Sequence, residues 1–220
     1  MIVTLDGPAG AGKSTTARAL AARLGWCYLD TGAMYRAVAL VALERAVPLD
    51  DEAAVAALAE SLAIRFCDGR VLIDDRDVSA EIRTERVTQA TRPVADAAAV
   101  REAMKQLQRR LAAGLDIVTE GRDQGSEVFP HAELKVFMTA SAAERARRRH
   151  QEELARGLAT SLAAVLDAQT RRDEGDRSRP VGAMRPAPDA LLLETDGLSP
   201  AEVIERLVQL VESNRSEPQS

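Results

Sequence analysis

Gly7-Pro8-Ala9-Gly10-Ala11-Gly12-Lys13-Ser14 is the stretch on which the reading of this chain turns. It fits G-x-x-x-x-G-K-[ST] at every fixed position, and its small residues let backbone N–H groups close around phosphate oxygens. The pattern needs a strand before it and a helix after it, so that the glycines bend the chain and aim a helix N-terminus at the anion. Both neighbours are present. Ile2-Val3-Thr4-Leu5 reads as a short buried strand, and Thr15 to Leu24 places Ala17, Leu20, Ala21 and Leu24 on one helical face. Gly7, Pro8, Ala9, Gly10, Ala11, Gly12, Lys13, Ser14 and Thr15 are therefore expected to hold a nucleoside triphosphate. Lys13 would reach the outer phosphates as a point charge, and the Ser14 hydroxyl would be the Mg²⁺ ligand.

Working outward, Cys27 to Asp30 reads as a second strand, and a helix rich in apolar residues follows Thr31-Gly32. Pro48-Leu49-Asp50-Asp51 interrupts the chain, and Glu52 to Leu62 reads as another helix. From Ala63 to Val78, Ile64, Phe66, Val71, Ile73 and Val78 alternate with polar residues around the turn Asp68-Gly69. That pattern predicts an antiparallel hairpin or three-strand ribbon, outside the strand-helix rhythm and hence an insertion. Helical periodicity returns from Ala98 to Ala113.

Ile117-Val118-Thr119 is a compact strand that opens onto the charged loop Glu120-Gly121-Arg122-Asp123. In open parallel sheets ligands bind at such strand ends. Leu134 to Met138 is the next strand. Ser141, with Glu144 three residues on, has capping-box spacing at the start of an arginine-rich helix, and a mostly helical stretch runs to Gly175. Leu191-Leu192-Leu193 is the last strand, Ser199-Pro200 starts a final amphipathic helix, and a polar tail is expected from Ser213. Strand and helix alternate five times. The expected fold is α/β, a three-layer phosphate-loop fold with a five-stranded parallel sheet covered on both faces.

The chain has 220 residues, enough for one substantial core with a small inserted subdomain. Its formal charge of −5 speaks against a general nucleic-acid binder, although arginines cluster between Arg145 and Arg185. A local basic surface on an acidic protein suits a small anionic substrate better than a polymer. Cys27 and Cys67 have neither metal-ligand nor C-x-x-C spacing, and His131 and His150 read as surface residues, so no zinc site is expected. No basic and long apolar leader pattern precedes the first strand. The longest apolar run, Ala37 to Leu43, is far shorter than the roughly 20 residues that span a bilayer. These features predict a soluble, cytoplasmic protein without membrane contact.

A phosphate loop alone does not separate a switch, a motor and a kinase. Guanine-specific switches read their base with N-K-x-D, and the sole asparagine here is Asn214, so that element is absent. Motors are usually longer and multidomain. A small phosphotransferase fits, and it must hold a second anion, for which the planar fork of arginine is suited. Arg36 follows the second strand and Arg122 follows the third. Arg172, Asp176 and Arg179 stand at i, i+4 and i+7 and share one face if the helix continues that far. Arg147, Arg149 and Arg156 read instead as a solvated helix face.

Four segments following the phosphate loop carry a resemblance: Asp30-Thr31-Gly32-Ala33-Met34-Tyr35-Arg36, Gly121-Arg122-Asp123-Gln124-Gly125-Ser126, Glu144-Arg145-Ala146-Arg147-Arg148-Arg149, and Arg172-Asp173-Glu174-Gly175-Asp176-Arg177-Ser178-Arg179. In this order they resemble the bacterial cytidylate kinases from Ile2 to about Leu210. The resemblance implies a single kinase domain with a core at 1–31, 114–148 and 177–213, a monophosphate-binding insertion at about 32–113, a helical lid at about 149–176 and a polar tail at 214–220. It implies ATP as donor with Mg²⁺, CMP and dCMP as acceptors, no nucleic-acid partner and a monomer. Arg36 and Arg122 would hold the acceptor phosphate, with Thr31 and Tyr35 lining the same pocket. Arg101, Asp123 and Arg179 would read cytosine, and Arg172 and Asp176 would contact the sugar. Lys13, Arg36, Arg122 and Arg172 would carry catalysis. The chain departs from the family near Arg92 (or Thr91), where a small hydroxyl residue is usual, and at Gln124, Glu127 and Gly175.

The base assignment has its own chemistry. Cytosine offers an amino donor beside two acceptors, which a carboxylate and a guanidinium match, whereas uracil turns a carbonyl toward the carboxylate. The alternatives are a relative that accepts UMP, another small-molecule kinase of this fold acting on shikimate or gluconate, and a non-enzymatic nucleotide-binding switch.

Overall fold

The computed structural model describes residues 1–67, 69–155 and 157–216. Asp68 of the expected turn, Arg156 of the arginine-rich segment and residues 217–220 of the expected tail lie outside the described residues. The chain divides into two compact units, one made of Met1–Tyr28 with Gly114–Ser220 and the other of Leu29–Ala113.

In the first unit, five apolar segments form one parallel sheet. The strands are β1 (Ile2–Asp6), β2 (Cys27–Asp30, which continues into the second unit), β6 (Ile117–Gly121), β7 (Leu134–Thr139) and β8 (Leu191–Glu194). Their order is β2-β6-β1-β7-β8, and the sheet is five-stranded and parallel, as the strand-helix alternation predicts. β1 is central, with Ile2 beside Ile117 and Asp6 beside Gly121 on one edge and Asp6 beside Phe137 on the other. The helices are α1 (Lys13–Leu24), α6 (Ala142–Ala155), α7 (Leu162–Ser178) and α8 (Pro200–Ser216). Ala17, Leu20 and Ala21 of α1 and Leu207, Val208 and Val211 of α8 bury against Val3, Leu5, Val118, Val136 and Met138 of the sheet. This is the i, i+3, i+4 stripe read from the sequence, met by the buried apolar residues of the central strands.

Several boundaries differ from the expectation. α1 starts at Lys13 rather than Thr15, because Gly12 in the left-handed conformation ends the loop there. The long helical stretch is two helices, broken where Gly157 (φ +76) turns the chain and its N–H returns to Leu154 O at 2.9 Å. α7 ends at Ser178, so Arg179 stands just beyond the helix. Only half of the box at Ser141 forms. Ser141 Oγ accepts from Glu144 N at 3.3 Å, but the Ser141 N–H goes to Asp196, and the Glu144 carboxylate serves Arg147 and Arg148. The reciprocal pair forms instead at Ser199 and Glu202, opening α8. α8 continues past the expected tail boundary at Ser213, since Arg215 lies 4.8 Å over the Trp26 ring and pairs with Asp116 at 3.2 Å.

The second unit is mostly helical: α2 (Thr31–Glu44), α3 (Glu52–Ser61), α4 (Glu85–Asp96) and α5 (Ala98–Ala112), with a ribbon of β3 (Ile64–Cys67), β4 (Arg70–Ile73) and β5 (Arg76–Asp77). α3 packs on α5 and α2 on α4, burying Val55, Leu58, Val100, Met104, Val87 and Val94. The antiparallel ribbon is the predicted one, pairing Ile64 with Ile73 and Leu72 with Asp77. α4 is not legible as a helix from the sequence, because Pro93 lies inside it and removes one ladder donor. Its packing on α2 outweighs that loss.

Candidate active site

The phosphate loop is built from backbone, and packing leaves it little freedom. Gly7 has φ +140, and a Cβ there would overlap the Met138 carbonyl of the neighbouring strand. Lys13 lies in the first turn of α1 at 5% exposure, and its Nζ donates to Pro8 O at 2.8 Å. Burial pushes the Lys13 ammonium down to about 7, the nearby Arg122 adds to this, and Glu120 and Asp6 oppose it. Ser14 Oγ donates to Glu120 Oε1 at 2.9 Å, so a hydroxyl and a carboxylate meet at the start of α1. Two hard oxygen donors, completed by phosphate oxygens, form the kind of set that Mg²⁺ takes.

The loop is also held from α7. Asp173, 2% exposed, accepts from Ala9 N at 3.2 Å and from Arg145 Nη1 at 2.6 Å, and Arg145 Nη1 donates to Ala9 O at 2.8 Å. Gln169 Nε2 donates to Arg145 O at 3.3 Å. Val165, Gln169, Asp173 and Asp176 are the buried residues of α7, and Gln169 and Asp173 lie against the phosphate loop.

A charge cluster lies in the same unit. Arg122 Nε donates to Asp176 Oδ2 at 2.7 Å, and Arg179 Nη2 pairs with Asp176 Oδ1 at 2.8 Å. One carboxylate thus joins two of the arginines picked out in the sequence. The i, i+3 pair survives although Arg179 is beyond the helix. Burial alone would raise the Asp176 carboxyl, but Arg122 and then Arg179 outweigh it and hold it below its ordinary value. Arg172, one turn before Asp176 on α7, is close enough to the cluster that burial, and then Arg122, pull its guanidinium below its ordinary value while Asp176 opposes them, and Asp123 is buried at 4% exposure immediately after Arg122.

Four predicted site residues belong to the second unit. Asp30 caps α2 by accepting from Ala33 N at 2.8 Å, which places Thr31, Tyr35 and Arg36 in the first two turns. Arg36 Nη2 is 3.7 Å from Asp30 Oδ1. Arg101 on α5 is 4% exposed, donates to Ala95 O at 3.1 Å and lies 5.8 Å over the Tyr35 ring. At the departures from the family pattern, Arg92 is on the exposed side of α4 and pairs with Asp96 at 3.6 Å, while the Thr91 hydroxyl donates to Val87 O of its own helix at 2.7 Å. Gln124 Oε1 accepts from Thr119 Oγ1 at 3.0 Å, and Glu127 Oε1 accepts from Gly182 N at 2.8 Å.

The sequence did not single out Asp6, Glu120, Arg145 or Asp173 individually. Glu120, the first residue of a charged strand end, carried a signal, as did the buried spacing Gln169, Asp173 and Asp176. For Asp6 the partners are more than a hundred residues away and leave no local trace. Arg147 pairs with Glu144 and Arg149 with Glu153 on the surface, as the solvated-face reading expects.

Known proteins are similar to this chain along most of its length. A family model described as cytidylate kinase matches residues 3–213. A cytidylate kinase of Rhodopirellula baltica is 49% identical over 211 residues, covering 96% of this chain and 92% of its own, and one of Carboxydothermus hydrogenoformans is 44% identical over 215 residues, covering 96% and 97%. An uncharacterized protein from Eubacterium ventriosum has a crystal structure that shares the fold, with a TM-score of 0.56 at 9% identity, covering 97% of this chain and 99% of that one. The match along nearly the whole length means that this chain belongs to the cytidylate kinase family.

Proposed function

We propose that the protein transfers the γ-phosphoryl group of ATP to CMP and dCMP, giving ADP with CDP or dCDP. The observation that carries this is the family match across residues 3–213. UMP or a metabolite such as shikimate is not favoured as acceptor.

The acceptor's second phosphate ionisation lies near pKa ~6, so its attacking oxygen is already largely deprotonated at neutral pH and needs no strong base. Alignment and charge are what the chain supplies. The loop from Gly7 to Thr15 holds the triphosphate, and Lys13 neutralises the transferred group. Ser14, with Glu120 behind it, would hold Mg²⁺, which supplies charge neutralisation at the phosphate oxygens when bound. Arg36 and Arg122 hold the acceptor phosphate, next to Thr31 and Tyr35. Arg101, Asp123 and Arg179 read the base, Arg172 and Asp176 take the sugar, and Arg172 also neutralises charge in the transition state. Asp176 supports this reading by holding the Arg122 and Arg179 forks in place before any ligand arrives.

We assign the monophosphate-binding insertion to about 32–113 and a moving lid to about 149–176, which excludes water from the transferred group. A cytoplasmic monomer without nucleic-acid partners fits the family. No helix among the described residues is long and apolar enough to cross a membrane. A panel of CMP, dCMP, UMP, AMP and shikimate with ATP and Mg²⁺ tests the function. CMP and dCMP should dominate, and a preferred acceptor outside that pair overturns the reading.

A further inference from the structure

Asp6 is the last residue of the central strand, 4% exposed, and its two carboxylate oxygens are divided between two backbone amides. Oδ1 accepts from Gln124 N at 2.9 Å and Oδ2 from Gly125 N at 2.7 Å. Those amides open the single π turn Gln124–Val128, in which Phe129 N reaches back to Gln124 O at 2.7 Å. The residue before that turn is Asp123. An aspartate in this place ordinarily caps its own helix with its side chain. Here it does not: the Asp123 side chain makes no capping bond, and its carbonyl joins the turn, accepting from Glu127 N at 2.9 Å and from Val128 N at 3.2 Å. The cap comes from Asp6, 118 positions away in the chain.

We propose that Asp6 is the positioning residue of base recognition: by capping the turn in place of Asp123, it directs the Asp123 carboxylate, and the Arg122 fork beside it, to the acceptor nucleotide. The inference rests on the reading of Asp123 as the base-reading group. The lever is short, because the amides that Asp6 holds follow Arg122 and Asp123 directly. Gly125 has no room to adjust, since a Cβ there would come within 2.8 Å of Thr4 Oγ1. Both oxygens are needed. An asparagine keeps one acceptor and presents an NH₂ to the other amide, so one buried N–H loses its partner and the turn that follows Arg122 and Asp123 loosens. Burial pushes the Asp6 carboxyl up to about 6 although both amides pull it down, so at neutral pH it is mainly the ionised acceptor that the turn requires.

The test is Asp6→Asn in the full chain, with ATP and either CMP or UMP, alongside Thr119→Val, which removes the hydroxyl donated to Gln124 and leaves Asp6 in place. In Asp6→Asn the KM for CMP should rise about 10- to 100-fold, the KM for ATP, which feels Asp6 only through Lys13, should move less, and the kcat/KM ratio of CMP to UMP should fall at least about 10-fold. Thr119→Val should lower the two acceptors' kcat/KM together. Equal movement of the CMP and ATP constants in Asp6→Asn, or an unchanged CMP to UMP ratio from a wild type that discriminates, overturns the proposal. A wild type that does not discriminate sinks the base-reading role of Asp123 instead, and the split between the CMP and ATP constants then judges Asp6 alone. If Asp6→Asn does not accumulate as folded protein, amide exchange in the wild type decides. Gln124 and Gly125 should be protected like the central strands, and exchange at the rate of exposed loops refutes the clamp.

Discussion

The phosphate loop and the Arg122–Asp176–Arg179 cluster both hold largely buried positive charge, yet they meet its cost in opposite ways. At the loop a single ammonium is buried and left poorly solvated, so burial pushes Lys13 down to about 7. At the cluster Arg122 and Arg179 share the single Asp176 carboxylate, which offsets part of their charge. A lysine can respond by giving up its proton, whereas a guanidinium cannot, so the first region adapts by titration and the second by ion pairing. The loop is thus poised to gain from an incoming anion, and the cluster is organised in advance of it.

The largest expected effect separates these two designs. Lys13→Ala should reduce turnover by about 10³-fold, as loss of a principal charge stabiliser does. Its melting temperature without nucleotide should hold or rise at pH 7. The sign follows from the lowered pKa: the stability associated with Lys13 is full above about 10.5 and is lost as pH falls through about 7, so the ionised lysine burdens the free protein at neutral pH. Calorimetric melts at pH 7 and pH 9 check this, and a marked fall for the alanine variant at pH 7 would contradict it.

Next in size is Asp173→Ala. The Asp173–Arg145 pair is buried at 2% and 8% side-chain exposure, and its loss leaves an uncompensated guanidinium under the loop, so unfolding should become easier by ~3 kcal/mol. ATP affinity should fall as well, because Ala9 N loses its acceptor and the Arg145 fork that holds Ala9 O loses its counter-charge. Arg122→Ala should act on the other region. It should lower kcat/KM for CMP by about 10²-fold with ATP binding kept within a few-fold, and equal loss of both would deny the separation of donor and acceptor groups.

A subtler comparison follows protons. Triphosphate binding should return Lys13 toward its ordinary value, so between pH 7.5 and 8.5 ATP should bind with uptake of a fraction of a proton and weaken as pH rises. Titration calorimetry in buffers of different ionisation heat reads this directly. CMP, held by arginines, should show no comparable uptake over that range. Smallest of all, Arg147→Ala should change stability by under about 0.5 kcal/mol, because its pair with Glu144 is solvent-exposed.

These contrasts also explain what was legible in the sequence. The loop is a local object, so its fixed spacing marks the glycines, Lys13 and Ser14 within eight positions. The parallel sheet follows from the periodicity of segments that lie next to their own turns. Arg122 and Asp176 could be listed as charges, but their pairing depends on how α7 packs, which no local pattern records. α4 was hidden by Pro93, whose lost hydrogen bond is offset by burial of Val87 and Val94. Asp6 and Asp173 were hidden because a buried carboxylate bound to distant amides looks, in sequence, like any other acid at a strand end or on a helix.

The central position of β1 has a consequence for synthesis. Its partners on either side, Ile117–Gly121 and Leu134–Thr139, are made only after the whole of Leu29–Ala113. The second unit is built largely from neighbouring helices and can gather contacts early, but the strand that carries Gly7 has to wait. A nascent chain halted before Ile117 would contain the entire phosphate-loop motif with neither neighbour of β1 to bend it against. Competence to bind nucleotide therefore arrives late in translation, well after the residues that advertise it.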